Sequence, residues 1–322
     1  MDKQKILIII PCLNEAEHIG RLLQQFCKNK NSLIIVADGG SSDGTQQIVK
    51  DCIIVNSNIK LIFNENKIQS AGINLAIKLF GFDSKYFIRI DAHADYPDNF
   101  VTELIQSAEV TDADSVVIAM DTVGKTAMQN MFAITQNSKL GNGGSAHRNI
   151  SNEGKWVEHG HHALMRVSAF TDVGGYDELF VANEDAELDF RLIKAGFKIW
   201  LTSSTFMTYY PRSDFIGLFK QYYRYGIGRA SNVIKHKQIP KIRQLIPLSV
   251  LPTLLLFLLF PINIIFALPF ISWLGLCLAY GVLLSIQNKK LFIVLSGPTA
   301  ALMHFGWSAG FCRKLISKIL YR

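Results

Sequence analysis

The chain predicts an α/β domain on a mainly parallel sheet with helices on both faces, followed by an apolar helical segment that meets a membrane. Three observations carry this reading. Continuous apolar runs alternate with amphipathic helical stretches through the first 120 residues, the pattern of strands buried on both faces. Two of those runs end in an acid, Asp38 and Asp91. The composition then changes abruptly: residues 215–322 hold 13 Lys/Arg and no Asp or Glu, whereas residues 1–214 hold 20 Lys/Arg and 26 acids.

The elements follow in order. Residues 6–10 form a buried strand whose five apolar residues before Pro11 are too few for a signal peptide. Residues 18–28 form a helix with Ile19, Leu22, Leu23 and Phe26 on one face. Residues 33–37 form a strand ending at Asp38, and 44–50 begin the next helix. Residues 53–55 and 61–63 read as short strands, 71–79 as a helix, and 86–90 as a strand ending at Asp91. Ligands of such sheets bind beyond the carboxyl ends of the strands, where Pro11, Asp38 and Asp91 stand. The polar, glycine-rich stretch 141–154 is either a mobile flap or a plain surface loop. Residues 185–194 form a helix that Gly196 stops.

From Gln244 the stretches 245–270, 271–286 and 291–312 are nearly free of charge. A spanning helix needs about 20 apolar residues. Residues 245–286 therefore suit two spans in a hairpin with Pro269 at its turn. Residues 291–312, interrupted by Gly297-Pro298 and carrying His304, form a third segment that spans or re-enters. Lys235, Lys237, Lys241 and Arg243 before the first span and Lys289-Lys290 after the second favour the cytosol. So do Arg313, Lys314, Lys318 and Arg322, which three full spans would put outside. The expected organisation is a cytosolic domain over 1–230, a basic linker over 231–244, a membrane domain over 245–312 and a basic tail over 313–322. The expected location is the cytoplasmic (inner) membrane, multi-pass, with the globular domain facing the cytosol. The basic charges flank apolar runs, which suits anionic membrane lipids and not nucleic acid. Five cysteines without paired spacing indicate neither disulfides nor zinc and fit a reducing cytosol.

Five short segments stand in a fixed order: Ile-Ile-Ile-Pro-Cys-Leu-Asn-Glu (8–15), Val-Ala-Asp-Gly-Gly-Ser-Ser-Asp-Gly-Thr (36–45), Arg-Ile-Asp-Ala-His-Ala-Asp-Tyr-Pro (89–97), Val-Gly-Gly-Tyr-Asp-Glu (173–178) and Asn-Glu-Asp (183–185). This series resembles glycosyltransferase family 2 over residues 5–230. The Asp-Ala-His-Ala segment followed by an apolar tail is similar to the subgroup of membrane glucosyltransferases of succinoglycan biosynthesis. The resemblance implies a GT-A fold, a nucleotide-sugar donor, a divalent metal (Mn²⁺ or Mg²⁺) and inversion at the anomeric carbon.

Residue types support these roles separately. Pro11, Asn14 and Glu15 form a turn that can cup a nucleoside. Asp38 can accept a hydrogen bond from a uracil imide, with Gly40 beside it in the nucleotide-sugar site, or it is a capping or Asx-turn residue before Ser41-Ser42-Asp43-Gly44. Gln69, Ala71 and Gly72 resemble the family's segment beside the nucleotide. Asp91 takes the metal position, or caps the helix after Pro97. The family's usual Asp-X-Asp reads Asp-X-His here; Mg²⁺ prefers oxygen and imidazole suits Mn²⁺, so His93 ligates the metal, contacts diphosphate, or lines the pocket. Asp185 matches the family's catalytic base, with Glu184 orienting it, although acids also favour a solvated helix start. Gln221 and Arg224 share a helix face in Gln-Tyr-Tyr-Arg-Tyr, which resembles Gln-X-X-Arg-Trp. They hold the acceptor sugar, or belong to an interfacial aromatic-basic belt. His159, His161 and His162 match no zinc spacing, and Glu158-His159-Gly160 lies near the acceptor or merely in a loop.

The expected function is an inverting transferase that moves a sugar from a UDP-sugar to a polyprenyl-diphosphate-linked or other glycan acceptor in exopolysaccharide or cell-surface polysaccharide biosynthesis. Two alternatives stay open: a processive polysaccharide synthase, and a catalytically degenerate membrane protein that only binds nucleotide-sugar. The absence of acids within the apolar segments argues against an ion-coupled transporter.

Overall fold

The computed structural model describes residues 5–145, 148, 152–180 and 182–320. It divides into two compact units, Met1–Asp121 with Asn149–Tyr209, and Thr122–Arg148 with Tyr210–Arg322.

The first unit is built on an eight-stranded sheet in the order β3-β2-β1-β4-β7-β5-β8-β6. Its first half alternates β1 (Lys5–Cys12), α1 (Ala16–Phe26), β2 (Ser32–Asp38), α2 (Thr45–Val55), β3 (Ile59–Phe63), α3 (Gln69–Phe80) and β4 (Ser84–Arg89), with β1 parallel to both β2 and β4 and β2 parallel to β3. α4 (Phe100–Thr111) leads to β5 (Ser115–Thr122). Later come β6 (Lys155–Val157), β7 (His161–Arg166), α7 (Val167–Asp172), α8 (Glu184–Lys194) and β8 (Ile199–Tyr209). β7 runs antiparallel to both β4 and β5. The two-residue period of a strand explains the unbroken apolar run of β1. Ile8 and Ile10 enter one core with Leu22, Phe26, Phe100 and Leu104, while Leu7 and Ile9 enter another with Ile73, Ile77, Phe170 and Leu188. Strand order reverses between β1 and β4, which opens a crevice beyond their carboxyl ends.

One element differs from the sequence reading. Residues 53–55 are no strand but the last turn of α2, closed by the Asn56 N–H donating to the Cys52 carbonyl. Parallel β2 and β3 need a crossover helix, and the β-branched residues Ile54 and Val55 face solvent at its end.

The second unit holds two short helices, α5 (Ala127–Asn137) and α6 (Lys139–Asn142), and four longer ones. These are α9 (Phe215–His236), α10 (Ile242–Phe257), α11 (Leu268–Asn288) and α12 (Ser296–Leu320), so α9 falls in this unit although it precedes residue 230 for most of its length. Two helical stretches, Ile264–Asn288 and Leu291–Leu320, are long and apolar enough to cross a membrane. α10 has 16 residues; at 1.5 Å per residue it covers about 24 Å, short of a hydrocarbon core of about 30 Å. Both proline expectations are corrected. Pro269 lies in the first turn of α11, not in a hairpin turn, because a first-turn proline gives up only an N–H that has no helical partner. Pro298 likewise sits in the first turn of α12, so Gly297-Pro298 open that helix and do not interrupt it.

α9 and α12 touch at glycines. A Cβ at Gly226 would stand 2.0 Å from the Trp307 carbonyl oxygen, and one at Gly310 2.0 Å from the Tyr223 carbonyl oxygen, so only hydrogen fits. α10 keeps Pro247 and Pro252 inside its length. Pro252 cannot donate to the Leu248 carbonyl one turn back. The buried Ser308 hydroxyl of α12 donates to that carbonyl (3.1 Å) and accepts from the Leu251 N–H (3.0 Å), restoring what the ring removes. His304 also ties segments together: Trp273 Nε1 donates to its Nδ1 at 3.3 Å, and its Nε2 meets the Leu140 carbonyl at 2.9 Å.

Ser308→Ala is expected to lower the stability of the detergent-solubilised protein by about 1 kcal/mol, the scale of a hydrogen bond between membrane helices. The exposed Ser249 bonds only to Ile246 of its own helix, and Ser249→Ala is expected to leave the thermal midpoint within error. Equal midpoints for the two variants in a thermal melt would refute the repair by Ser308.

Candidate active site

Two loops at the carboxyl edge of the sheet are stitched together. The Asn14 N–H donates to Ser41 Oγ (2.8 Å), and Asn14 Oδ1 accepts from the Ser42 N–H (2.9 Å). The Glu15 N–H reaches Thr45 Oγ1 (2.8 Å) and the Ala16 N–H reaches Asp43 Oδ2 (3.0 Å). Asp38 anchors the turn from below. Its Oδ1 accepts from the Gly40 and Ser41 N–H groups and from Gln46 Nε2, and its Oδ2 from Ser41 Oγ and Cys12 Sγ. Burial opposes ionisation of Asp38, but these donors outweigh it and hold the carboxyl below its usual range, while burial and Asp38 push the Cys12 thiol up. The buried carboxylate is engaged as an Asx turn requires. Gly40, at φ +87°, occupies the left-handed position of that turn. Pro11 pairs in register with Ala37. Gly72 lies beneath both: a Cβ there would stand 3.1 Å from Ala37 Cβ and 3.5 Å from Pro11 Cβ, so its smallness brings α3 against the strand ends.

A buried guanidinium holds the next group. Arg89 closes β4; its Nε contacts Asp91 Oδ1 (3.2 Å), its Nη1 donates to Asp185 Oδ1 (2.6 Å), and its Nη2 stands 3.9 Å from Glu184 Oε1. Gln69 Nε2 donates to Asp91 Oδ1 (2.6 Å), so Gln69 serves Asp91 directly. The Asp91 N–H donates to Tyr96 Oη (2.8 Å). Burial works against ionising Asp91 and Asp185, but Arg89 together with His161 at Asp91 and with His162 at Asp185 outweighs it. Both carboxyls are held well below the usual range. Glu184 goes the other way: burial and the adjoining Asp185 charge push it up, and the more distant Arg89 offsets only part. Asp185 is thus the ionised member of the pair at neutral pH.

The three histidines that read as a loop are part of this centre. His161 and His162 open β7, whose Ala163, Leu164 and Met165 are buried between β4 and β5. His161 Nε2 stands 3.3 Å from Asp91 Oδ2 and its Nδ1 3.9 Å from Asp185 Oδ2. His162 Nε2 lies 2.7 Å from Asp189 Oδ1, and its Nδ1 2.6 Å from Tyr176 Oη and 3.3 Å from Asp185 Oδ1. His159 Nδ1 is 2.7 Å from Asp189 Oδ2. Burial would lower His162, yet Asp189 and Asp185 outweigh it and raise it. His93 stands apart from the other three: half-exposed, with Nδ1 3.5 Å from Glu15 Oε1. Among the described residues, no group of three or more His, Cys, Asp or Glu side chains is placed to hold a cation unaided.

Sequence reasoning gave no role to Arg89, Tyr176 or Asp189, and weighed His161 and His162 only against a zinc pattern. An arginine closing the apolar run Tyr-Phe-Ile was the available signal, since a buried arginine must be paired. Asp189, one helical turn after Asp185, was another. Gln221 and Arg224 lie on α9 in the second unit, where Gln221 is buried and its Nε2 donates to Tyr225 Oη (2.9 Å). Of the glycine-rich stretch 141–154, residues 146, 147 and 149–151 lie outside the described residues; Arg148 Nη1 donates to Thr122 Oγ1 at 3.0 Å.

The glycosyl transferase family 2 model matches residues 7–174, and the strands and loops just described fall inside it or adjoin it. The succinoglycan biosynthesis protein ExoA of Rhizobium meliloti (strain 1021) is 48% identical over 313 residues, covering 96% of this chain and 94% of that protein. The chain belongs to glycosyl transferase family 2. It is a glycosyltransferase, as the ordered motifs implied. A Methanococcus voltae protein, dolichyl N-acetyl-alpha-D-glucosaminyl phosphate 3-beta-D-2,3-diacetamido-2,3-dideoxy-beta-D-glucuronosyltransferase, is 26% identical over 71% of this chain and 74% of its own. Among solved structures, the mannosyltransferase PcManGT from Pyrobaculum calidifontis, in complex with GDP-Man and Mn²⁺, superposes with a TM-score of 0.62 at 17% identity, covering 97% of this chain and 87% of that one. The fold is GT-A, the α/β architecture read from the sequence.

Removing Arg89 leaves Asp91, Asp185 and Glu184 without their shared cation. Arg89→Met is expected to cost about 3–5 kcal/mol, the scale for breaking a buried ion pair, in a urea unfolding series. Arg89→Lys, with one ammonium for three carboxylates, is expected to fall between that variant and the parent. The depressed Asp38 and Asp189 add stability that is full above the ordinary carboxylate pKa and drains as pH falls through their lowered values. The raised His162 adds stability that is full below the ordinary histidine pKa and is lost as pH rises through its raised value. Midpoints measured against pH are expected to fall on both sides of a plateau, and His162→Gln is expected to remove the alkaline limb and to reduce the part of the acid limb that Asp189 owes to His162.

Proposed function

We propose that this glycosyltransferase moves one sugar, with inversion, from a UDP-sugar to a polyprenyl-diphosphate-linked glycan in cell-surface polysaccharide assembly. The observation that carries the reading is the ionised Asp185 on the same buried guanidinium as Asp91. A base for the acceptor and an anchor for the donor diphosphate then share one fixed frame. The 48% identity to a succinoglycan biosynthesis protein extends over 96% of the chain, apolar helices included, and supports a polysaccharide pathway.

The nucleoside sits on the loop that Pro11, Asn14, Glu15, Asp38 and Gly40 build, with Gln69 and Gly72 beneath it. In this arrangement Asp38 acts by fixing the loop. Asp91 turns Oδ1 to Arg89 and Gln69 and Oδ2 to the imidazole of His161. Were a divalent cation to arrive with the donor diphosphate, Asp91 and His93 would be the protein groups to hold it, with phosphate oxygens completing its shell. The cation would offset the negative charge that develops on the departing diphosphate. Asp185 takes the proton from the acceptor hydroxyl as that oxygen attacks the anomeric carbon, and Glu184 orients the acceptor beside it. Gln221 and Arg224 serve the acceptor. The two long apolar helices seat the enzyme in the cytoplasmic membrane, with the first unit in the cytosol and basic residues around the helix ends facing anionic lipid.

A screen of UDP-, GDP- and dTDP-sugars with the solubilised protein, Mn²⁺ or Mg²⁺ and a bacterial lipid extract tests this reading. Labelled lipid from a UDP-sugar is the expected result. Labelled lipid from a GDP- or dTDP-sugar alone would overturn the donor assignment, and no nucleotide binding under any condition would sink the whole reading. Asp185→Asn is expected to reduce transfer by at least about 10³-fold, the upper range for loss of a general base. UDP affinity measured by calorimetry is expected to stay within about 3-fold, because Asp185 does not touch the nucleotide. Asp91→Ala is expected to abolish the metal dependence of UDP binding; unchanged affinity with and without Mn²⁺ would exclude Asp91 as the anchor.

A further inference from the structure

We infer that His162, held by Asp189, is a positioning residue for Asp185. The inference rests on the assignment of Asp185 as base. Asp185 and Asp189 are four residues apart on α8, so both carboxylates project from one helix face. The imidazole of His162, delivered by β7, stands between them. Nε2 meets Asp189 Oδ1 at 2.7 Å, and Nδ1 faces Asp185 Oδ1 at 3.3 Å and Tyr176 Oη at 2.6 Å. Asp189 is fixed in turn: its Oδ2 takes His159 Nδ1 at 2.7 Å and the Gly160 N–H at 3.3 Å. His162 and Asp189 are 3% and 1% exposed, so neither reaches substrate, and their effect passes through Asp185.

The geometry sets the proton arrangement. An ionised Asp189 accepts only, so the Nε2 of His162 carries a proton toward it. Nδ1, which faces Tyr176 Oη and the ionised Asp185, carries a proton as well, so the imidazole between the two carboxylates is cationic. Tyr176 Oη lies 3.3 Å from both Arg89 Nη1 and Asp185 Oδ1. Asp185 Oδ1 is therefore gripped by Arg89, Tyr176 and His162 together, which leaves Oδ2 as the oxygen that faces the acceptor. Replacing the Asp189 carboxylate by an amide removes the charge that keeps the imidazole doubly protonated, so its hold on Asp185 Oδ1 weakens. The Asp185 carboxylate is then less firmly fixed in one orientation.

The test uses full-length solubilised protein. The turnover probe is the nucleotide-sugar that labels lipid in the donor screen, and UDP with Mn²⁺ is the binding probe. Asp189→Asn is expected to lower kcat by about 10- to 100-fold, the cost of a misaligned group near the reaction. KM for the donor and UDP affinity are expected to move less than about 3-fold, and Asp189→Glu is expected to recover part of kcat. A purely structural role would move KM, UDP affinity and thermal midpoint together and gain nothing from the glutamate. Proton NMR of the parent gives a readout independent of activity and of any variant's folding. An exchange-protected imidazole N–H far downfield, absent in His162→Gln, is the expected signature, and its absence from the parent would overturn the proposal. So would a folded Asp189→Asn protein with parental kcat. Full transfer by Asp185→Asn would instead remove the base assignment while leaving the imidazole resonance in place, so the two failures are separable.

Discussion

A single guanidinium, buried at the end of β4, sets the conditions for the rest of the active site. Burying Arg89 would be prohibitive alone, and so would burying the carboxylates around it; together they are tolerable because each supplies the charge the others lack. The partners come from chain positions nearly a hundred residues apart, so their meeting depends on the sheet order. β4 must lie beside β1 with its carboxyl end at the strand-order reversal, and β7 must cross back between β4 and β5 to bring its histidines over the same point. The antiparallel insertion of β7 into an otherwise parallel half-sheet is what sets His161 and His162 against Asp91 and Asp185.

The charge balance shapes the chemistry as well. Asp91, Glu184, Asp185 and Asp189 face one arginine and one histidine whose pKa is raised. The excess of negative charge falls unevenly: Asp185, in contact with Arg89, keeps its charge, and Glu184, farther from it, gives ground. Two adjacent carboxyls at one helix start are thereby driven in opposite directions, Asp185 towards the ionised form and Glu184 towards the neutral one.

Much of this was legible in the sequence, for definite reasons. Strand periodicity and the acids at strand ends picked out Asp38 and Asp91, because short-range pattern decides where a strand stops, whereas Glu184 and Asp185, at a helix start, came from the motif resemblance. The short run 53–55 misled because β-branched residues favour strands locally, while the demand for a crossover helix is set by the pairing of β2 with β3. Pro269 and Pro298 misled because a proline's effect depends on its position within a turn, which composition does not reveal. His161, His162 and Asp189 stayed hidden because their meaning is entirely long-range. In the sequence they are two residues opening an apolar strand and one on an acidic helix face. Their function appears only when β7 and α8 converge.

The stitched loops have a further consequence for ligand capture. The turn after β2 is fastened to the turn after β1 through Asn14, Ser41, Asp43 and Thr45, and its floor is closed by Asp38. A loop fixed by its own hydrogen bonds has little conformational entropy left to surrender when a ligand arrives. On the proposed reading, a nucleotide arriving there would dock onto a finished surface, and discrimination would fall to shape and hydrogen-bond fit, with little contribution from the cost of ordering the protein.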